Sequence, residues 1–379
     1  MARSRDACAE RESGVAHLAT LSGLDDLASI GEEWDRLALV TGTPFVTAAW
    51  LSAWYGSYGS GDPAVIVLRS ADGRLLGGAS CQRVSPRAWT ATANLESGDW
   101  DVVAVDEAAR RAVWRGLAGV APARLRLYGL RQDGPGTRLA QQELTAAGYR
   151  VVTASGARSP YLRLPDRYEQ LLSTVSRNLR AQLGRKRRAL ERLGEVRLRE
   201  VRAGPGLADA LSSVIRLEGS GWKAQRGTAM RCVPALEKMY RSFARSAAAR
   251  GWLRIQLLDV GGHPVAADLG CAFGGVGYLL KTGFDPDFER YSPGLLLRAE
   301  AMRAAIDEGL RGYDFLGGPD PYKLRWASEI RPRIRLMAYR GWSTAPERLY
   351  WTTARPALRW TAVRTVRRSA TTPQPRLRR

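Results

Sequence analysis

The stretch from Phe284 to Gly318, FDPDFERYSPGLLLRAEAMRAAIDEGLRGYDFLGG, constrains the chain most. It continues an apolar run (Tyr278, Leu279, Leu280), crosses a polar turn and enters a helix at Ser292-Pro293-Gly294. Ser suits the cap position and Pro the first helical position. Leu295, Ala299, Met302, Ile306 and Leu310 then recur at helical spacing, which puts Arg298, Glu300, Arg303 and Asp307 on the outer face. Gly309 or Gly312 can end the helix, and Tyr313 to Leu316 reads as the next strand. Strand, loop, helix and strand form a βαβ-like unit. The free N–H groups at its helix start, with Arg290 and Arg298 beside them, suit an anion such as a pyrophosphate. An ordinary capped helix accounts for the same residues.

The chain has 379 residues, room for two domains of ordinary size. Residues 1–14 are charged, lack an apolar core and read as a disordered start, and no apolar run is long enough to span a bilayer. A soluble, cytoplasmic protein is expected. Cys8, Cys81, Cys232 and Cys271 show no metal spacing, and His17 and His263 are the only histidines, which argues against zinc hydrolysis and His-based triads. No metal is expected.

The net charge of +21 is concentrated. Residues 177–202 carry +7 and residues 346–379 carry +8. Only five of the 58 basic residues are lysines (Lys186, Lys223, Lys238, Lys281, Lys323), a bias that a GC-rich coding background explains better than phosphate binding does. The first segment, TVSRNLRAQLGRKRRALERLG, is a solvated helix or linker, or else a face for an acidic partner or RNA. The basic tail keeps Trp351 and Trp360 and could dock on the body or touch an anionic membrane surface.

The same order of elements occurs twice. Two helices (24–40 and 44–58) precede a hairpin about Asp72-Gly73, a strand from Trp89, the loop Ser97 to Asp101, a helix over VDEAARRAVWRGLAG and the strand RLRLYGL, followed by a helix from Thr137 and a strand from Tyr149. Helices over 206–225 and 234–250 precede a hairpin about Gly261-Gly262, a strand over 276–283 and the stretch already described. Gly73 set opposite His263 aligns the hairpins at an offset of 190 residues. Two related α/β units are expected, over 15–157 and 158–345, followed by the tail 346–379. Asp99 and Asp101 would repel a phosphate in the first unit, so one copy would hold the cofactor and the other shape a substrate cleft. Gly274 to Gly277 lies between two strands and reads as a hairpin turn rather than a dinucleotide site.

EEWDRLA, FVTAAWLSAWYGSYG, ADGRLLGG, SRNLRAQLGRKRRALERLG, LEGSGWKAQRG, FERYSPGLLL and YDFLGGPDPYKLRW, in that order, resemble the CelD/BcsL-type acetyltransferases. These are a branch of the GNAT superfamily often placed near cellulose or exopolysaccharide genes and distantly related to the FemAB aminoacyltransferases. The resemblance covers about Val15 to Trp342. It implies a mixed α/β, tandem GNAT-like fold with acetyl-CoA or another acyl-CoA bound at Arg290, Tyr291, Ser292, Pro293, Gly294, Leu295 and Leu296. It further implies transfer to an amine of a small molecule, sugar or peptide, in exopolysaccharide or envelope metabolism. The loop departs from the usual GNAT pattern by one extra residue and a missing second glycine.

Acyl transfer to an amine needs donors for the carbonyl oxygen, a route for the amine's proton and a proton for the thiolate. The GNAT resemblance implies a splayed, bulged strand just before the phosphate loop as the oxyanion donor, which here is Leu280 to Gly283, with Gly283 permitting the bulge. Candidate bases are Glu218, Asp285 and Asp268, an acid in an apolar strand that an edge or solvent-facing position explains equally well. Tyr291 and Tyr322 are candidate hydroxyl donors, or core tyrosines. Lys281 and Lys323 stand out in an arginine-writing chain, and Lys323 sits where FemAB-like enzymes show a lysine near their substrate, or is a surface cation. Two other functions stay open: a FemAB-like transferase using aminoacyl-tRNA, and a non-catalytic GNAT-like binding protein.

Overall fold

The computed structural model describes residues 16–21, 23–341 and 344. The expected disordered start and nearly all of the basic tail lie outside the described residues. The strands are β1 (His17–Thr20), β2 (Asp62–Arg69), β3 (Leu75–Ser85), β4 (Ala88–Ala91), β5 (Val103–Ala104), β6 (Arg124–Arg131), β7 (Arg150–Arg163), β8 (Val196–Val201), β9 (Leu253–Val260), β10 (His263–Phe273), β11 (Val276–Phe284), β12 (Gly312–Asp314) and β13 (Glu329–Tyr339). All join one mixed sheet in the order β1-β2-β3-β4-β6-β13-β7-β12-β11-β10-β9-β8, with β5 paired to β3.

Read inward from each end, that order repeats. β1-β2-β3-β4-β6 corresponds to β8-β9-β10-β11-β12, and each set holds one parallel pair, β4 with β6 and β11 with β12. The strand completing each set comes from the other half of the chain: β13 lies against β6, and β7 against β12. β7 and β13 then pair antiparallel with each other at the centre. The boundary expected between residues 157 and 158 falls within β7.

The local turn chemistry is as expected from the sequence. Gly73 (φ 85°), Gly261 (56°), Gly262 (83°), Gly274 (58°) and Gly275 (77°) take the left-handed conformations that tight hairpins require. The first helical stretch is divided at Ile30 into Leu24–Ser29 and Gly31–Thr41, and the Thr47 hydroxyl caps Ala48–Tyr58 by accepting from the Trp50 N–H at 3.1 Å.

On one face of the sheet Ala48–Tyr58 packs against Pro234–Ala249, and Trp50 lies edge-on to Phe45 (4.7 Å) and Phe243 (4.8 Å). Asp35 of the helix Gly31–Thr41 pairs at 2.9 Å with Arg250, just after Pro234–Ala249. The apolar core on this face is therefore continuous between the halves. On the other face the helix Pro293–Asp307 covers β9, β10 and β11. The helices Tyr168–Thr174 and Arg177–Glu191 lie beside it, so the arginine-rich segment is packed structure and not a linker.

At the centre, the buried Arg333 of β13 donates to Asp99 at 2.5 Å and to Asp314 at 3.1 Å. Asp99 also receives Arg131 at 2.9 Å, and Asp314 accepts from the Ser159 hydroxyl of β7 at 2.5 Å. Burial works against the Asp99 charge, but Arg333 and Arg131 outweigh it and hold its pKa below the usual carboxylate value. Removing one member of such a buried cluster strands the rest. Arg333→Leu is expected to lower the unfolding free energy by about 3–5 kcal/mol, far more than Arg163→Leu at an exposed pair, as read by urea denaturation.

Candidate active site

β11 pairs with β10 along its length, with one extra residue, Leu280, between the pairs Leu279–Gly270 and Lys281–Leu269. Its parallel pairing with β12 covers only Val276 to Tyr278. Beyond that point no strand pairs with β11 on this side, from Leu279 to Phe284, among the described residues. The bulge thus sits at Leu280 and not at Gly283. Gly283 is glycine for another reason: a β-carbon there would collide with the backbone of Glu218 at the end of the helix Leu207–Glu218.

From β11 the chain passes through a short 3₁₀ helix, Pro286–Tyr291, into Pro293–Asp307. Ser292 between them is left-handed (φ 54°, ψ 52°), and its side chain caps nothing, contrary to expectation. Its N–H donates to the Glu289 carbonyl at 2.9 Å, and its own carbonyl accepts from Leu295 (3.0 Å) and Leu296 (3.3 Å). Pro293 has no N–H. Among the described residues no backbone acceptor bonds the Gly294 amide, so the expected amide cradle narrows to that one donor. The nearby cations also differ from those expected, with Lys186 in place of Arg298. Arg290 is exposed over the Tyr291 ring at 4.7 Å, and Lys186, from the arginine-rich helix, donates to the Arg290 carbonyl. A groove of about 300 Å³ continues from Leu296, floored by Leu183, Leu198 and Leu258 and edged by Arg180, Arg187 and Arg303.

Arg298 is the main correction. The helical period placed it outside, but it is 2% exposed. It points into the sheet, donating to Asp268 (2.8 Å) and to the Tyr313 hydroxyl (2.9 Å), with the Thr282 hydroxyl at 3.4 Å. Burial disfavours its charge, and Asp268 and then Tyr313 outweigh that and raise its pKa. Asp268 is therefore the buried counter-ion of Arg298 and occupies neither an edge nor a solvent-facing position. Burial pushes the Tyr313 hydroxyl up to about 12. Tyr322 is 43% exposed, yet Arg298, Asp320 and Asp268 act on its hydroxyl; desolvation raises its pKa and Arg298 opposes the rise.

The candidates divide between the two faces of the sheet. Asp268 pairs in register with Thr282, so both face Pro293–Asp307. Lys281 and Gly283 point the opposite way, toward Glu218. Glu218 is buried and accepts from the Met230 N–H at 2.8 Å, which ties down the segment after its helix. Lys281 reaches the first half of the chain, pairing with Glu96 at 2.9 Å above the Tyr240 ring at 5.1 Å. The Tyr240 hydroxyl donates to the same Glu96 oxygen at 2.8 Å. Lys323 is buried too: its ammonium donates to the carbonyls of Leu316 (2.9 Å) and Gly318 (3.2 Å) and pairs with Asp320 at 2.9 Å. It fixes the strained turn after β12, where Leu316 and Gly317 both have positive φ. Asp285 is a local cap, accepting from the Asp287 N–H at 3.1 Å.

Sequence reading missed Glu96 and Tyr240. Glu96 directly precedes the loop Ser97 to Asp101, and only its position beside Lys281 gives it interest.

In the first half, the chain's own carboxylates meet the helix starts. Asp106 accepts from the Ala109 N–H at 2.7 Å, and Asp101 lies against Gly136 at the start of Pro135–Ala146.

Residues 177–324 match the family described as Acetyltransferase (GNAT) domain. The fold is GNAT-like. FemX shares it at 14% identity and a TM-score of 0.56, covering 85% of this chain and 98% of FemX. A conserved protein of unknown function from Bacteroides thetaiotaomicron shares it at 12% identity and TM-score 0.55, covering 86% and 100%. The C-terminal domain of an Agrobacterium fabrum protein named for lysylphosphatidylglycerol synthetase does so at 14% and 0.52, covering 86% and 96%. No curated protein matches the chain in sequence. Among the described residues no cluster of His, Cys, Asp and Glu could hold a metal ion, and no helix is long and apolar enough to cross a membrane.

Asp101 provides a pH signature. Burial raises its pKa to about 6, with Arg110 opposing. A folded-state acid with a raised pKa keeps its proton where the unfolded chain has lost it, so its contribution to stability falls as pH rises through about 4 to 6. Asp101→Asn should gain roughly 1–3 kcal/mol relative to the wild type between pH 4 and 7, measured by denaturation at each pH; residual exposure of Asp101 favours the lower figure.

Proposed function

We propose that the chain is an acyl-CoA-dependent N-acyltransferase. The observation that carries this reading is the end of the β11/β12 pairing after three residues, with the turn and helix from Asp285 to Asp307 following β11. A thioester arm there would meet the unpaired edge of β11 at the Leu280 bulge. Main-chain amides there can donate to the carbonyl oxygen, where negative charge develops during attack by an amine. The diphosphate would lie at the Gly294 amide with Arg290 and Lys186, and the arginine-edged groove suits the nucleotide end of the carrier.

Within this reading Tyr322 is the proton donor to the departing thiolate. Its hydroxyl carries a proton at neutral pH, and the Asp268–Arg298 pair fixes the charge beside it. Asp268 and Lys323 are positioning residues, one holding Arg298 and the other the turn before Tyr322. The amine of the acceptor would approach from the opposite face, where Lys281, Glu96 and Tyr240 lie. A small-molecule, sugar or peptide acceptor in exopolysaccharide or envelope metabolism is the expectation that follows from the CelD/BcsL resemblance.

A second reading, transfer of an aminoacyl group from tRNA, draws on the fold shared with FemX and on the exposed Arg177, Arg185, Arg188 and Arg192 of the helix flanking the loop. Acetyl-CoA and charged tRNA in parallel binding assays separate the two.

Gly294 supplies the direct test, because a β-carbon there meets only the Phe284 ring at 3.7 Å and the helix tolerates a side chain. Acetyl-CoA should raise the melting temperature of the wild type. Gly294→Trp should weaken acetyl-CoA binding at least about tenfold while leaving the melting temperature of the free protein nearly unchanged. An affinity insensitive to this substitution would remove the phosphate loop from the mechanism.

A further inference from the structure

We propose that Lys281 is itself an acyl acceptor, so that the protein acylates its own β11 strand when no external amine is present. This rests on the acyltransferase reading. Lys281 lies one residue beyond the bulge, within the part of β11 that no second strand covers. Its side chain is 12% exposed, held by the Glu96 carboxylate at 2.9 Å and by the Tyr240 ring. A primary amine thus meets a carboxylate able to take its proton one residue along β11 from the bulge, with the carboxylate contributed by the other half of the chain.

The residue type matters. Arginine serves an ion pair of this kind at least as well and cannot lose a proton in water, whereas lysine can. In a chain where only five of 58 basic residues are lysines, lysine stands at this position. Other described lysines are placed differently: Lys186 binds the Arg290 carbonyl, Lys323 is enclosed by the Leu316 and Gly318 carbonyls and Asp320, and Lys238 is exposed on the helix Pro234–Ala249.

In the step, the Lys281 ammonium gives a proton to Glu96 and the amine attacks the thioester carbonyl carbon. A C–N bond forms and the C–S bond breaks, and the thiolate leaves with a proton. Acyl-CoA and the lysine ammonium yield Nε-acyl-lysine, free CoA thiol and one proton. The product carries no charge, so the ion pair between the halves is lost and Glu96 keeps only the Tyr240 hydroxyl among the contacts described here. The modification would then reset the face on which an acceptor amine arrives.

The test uses the full chain with acetyl-CoA at mildly alkaline pH, followed by intact-mass measurement and peptide mapping of the lysines. Exposed Lys238 reports uncatalysed acetylation. Lys281 should be acetylated at least about tenfold faster than Lys238, and Glu96→Gln should slow Lys281 at least about tenfold with acetyl-CoA affinity unchanged, the scale expected for loss of a general base. Lys281→Arg should keep the fold and abolish the fast modification. Binding of acetyl-CoA with Lys281 reacting no faster than Lys238, or at the wild-type rate in Glu96→Gln, overturns the proposal and leaves the acyltransferase reading intact. Absence of acetyl-CoA binding overturns both.

Discussion

The exchange of β7 and β13 between the halves is the constraint on which the rest of the structure depends. Neither half closes its own sheet: β6 is completed by β13 and β12 by β7. Arg333 secures the exchange, because one guanidinium on β13 neutralises Asp99 from the first half and Asp314 from the second, and Asp314 in turn takes the Ser159 hydroxyl of β7. Such a cluster costs desolvation and adds little net stability over an apolar one, but it penalises any register that leaves a charge alone. It therefore specifies which strands meet.

The same arrangement sets the chemistry of the second half. β12 pairs with β7 on one side and with β11 on the other only as far as Tyr278, and the rest of β11 has no strand on that side. The two faces of the sheet around that part of β11 differ sharply. One holds Arg298, Asp268, Tyr313 and the hydroxyl environment of Tyr322 beneath the helix Pro293–Asp307; the other holds Lys281, Glu96 and Tyr240 at the contact between halves. The first half has its own parallel pair, β4 with β6, yet Asp101 and Asp106 sit at its helix starts, where their charge disfavours an incoming phosphate. The two copies of one topology are thus chemically unequal.

Much of the architecture was legible in the sequence because it is local. Glycines at hairpin tips, the Pro at the first helical position of Pro293–Asp307 and the apolar periods of the helices all act within a few residues, and the paired order of elements followed from them. β13 was not anticipated. It carries an internal proline and Arg331, Arg333 and Arg335, and the buried Arg333 is accommodated by Asp314, 19 residues away, and Asp99, 234 residues away. Arg298 misled for the same reason: an arginine on an amphipathic helix belongs outside unless a carboxylate waits beneath it, and Asp268 comes from another strand.

The sequence by itself determined the hairpins, the strand–loop–helix–strand unit and the list of unusual residues, because turn geometry and side-chain periodicity are properties of neighbouring residues. Only the tertiary structure decided what those residues do. It assigned Asp268 to Arg298, enclosed Lys323 in a turn, put Glu218 under the core and brought Glu96 to Lys281. A charge takes its role from its partner and its exposure, and packing sets both, whether the partner is 7 residues away, as Leu316 is from Lys323, or 30, as Asp268 is from Arg298.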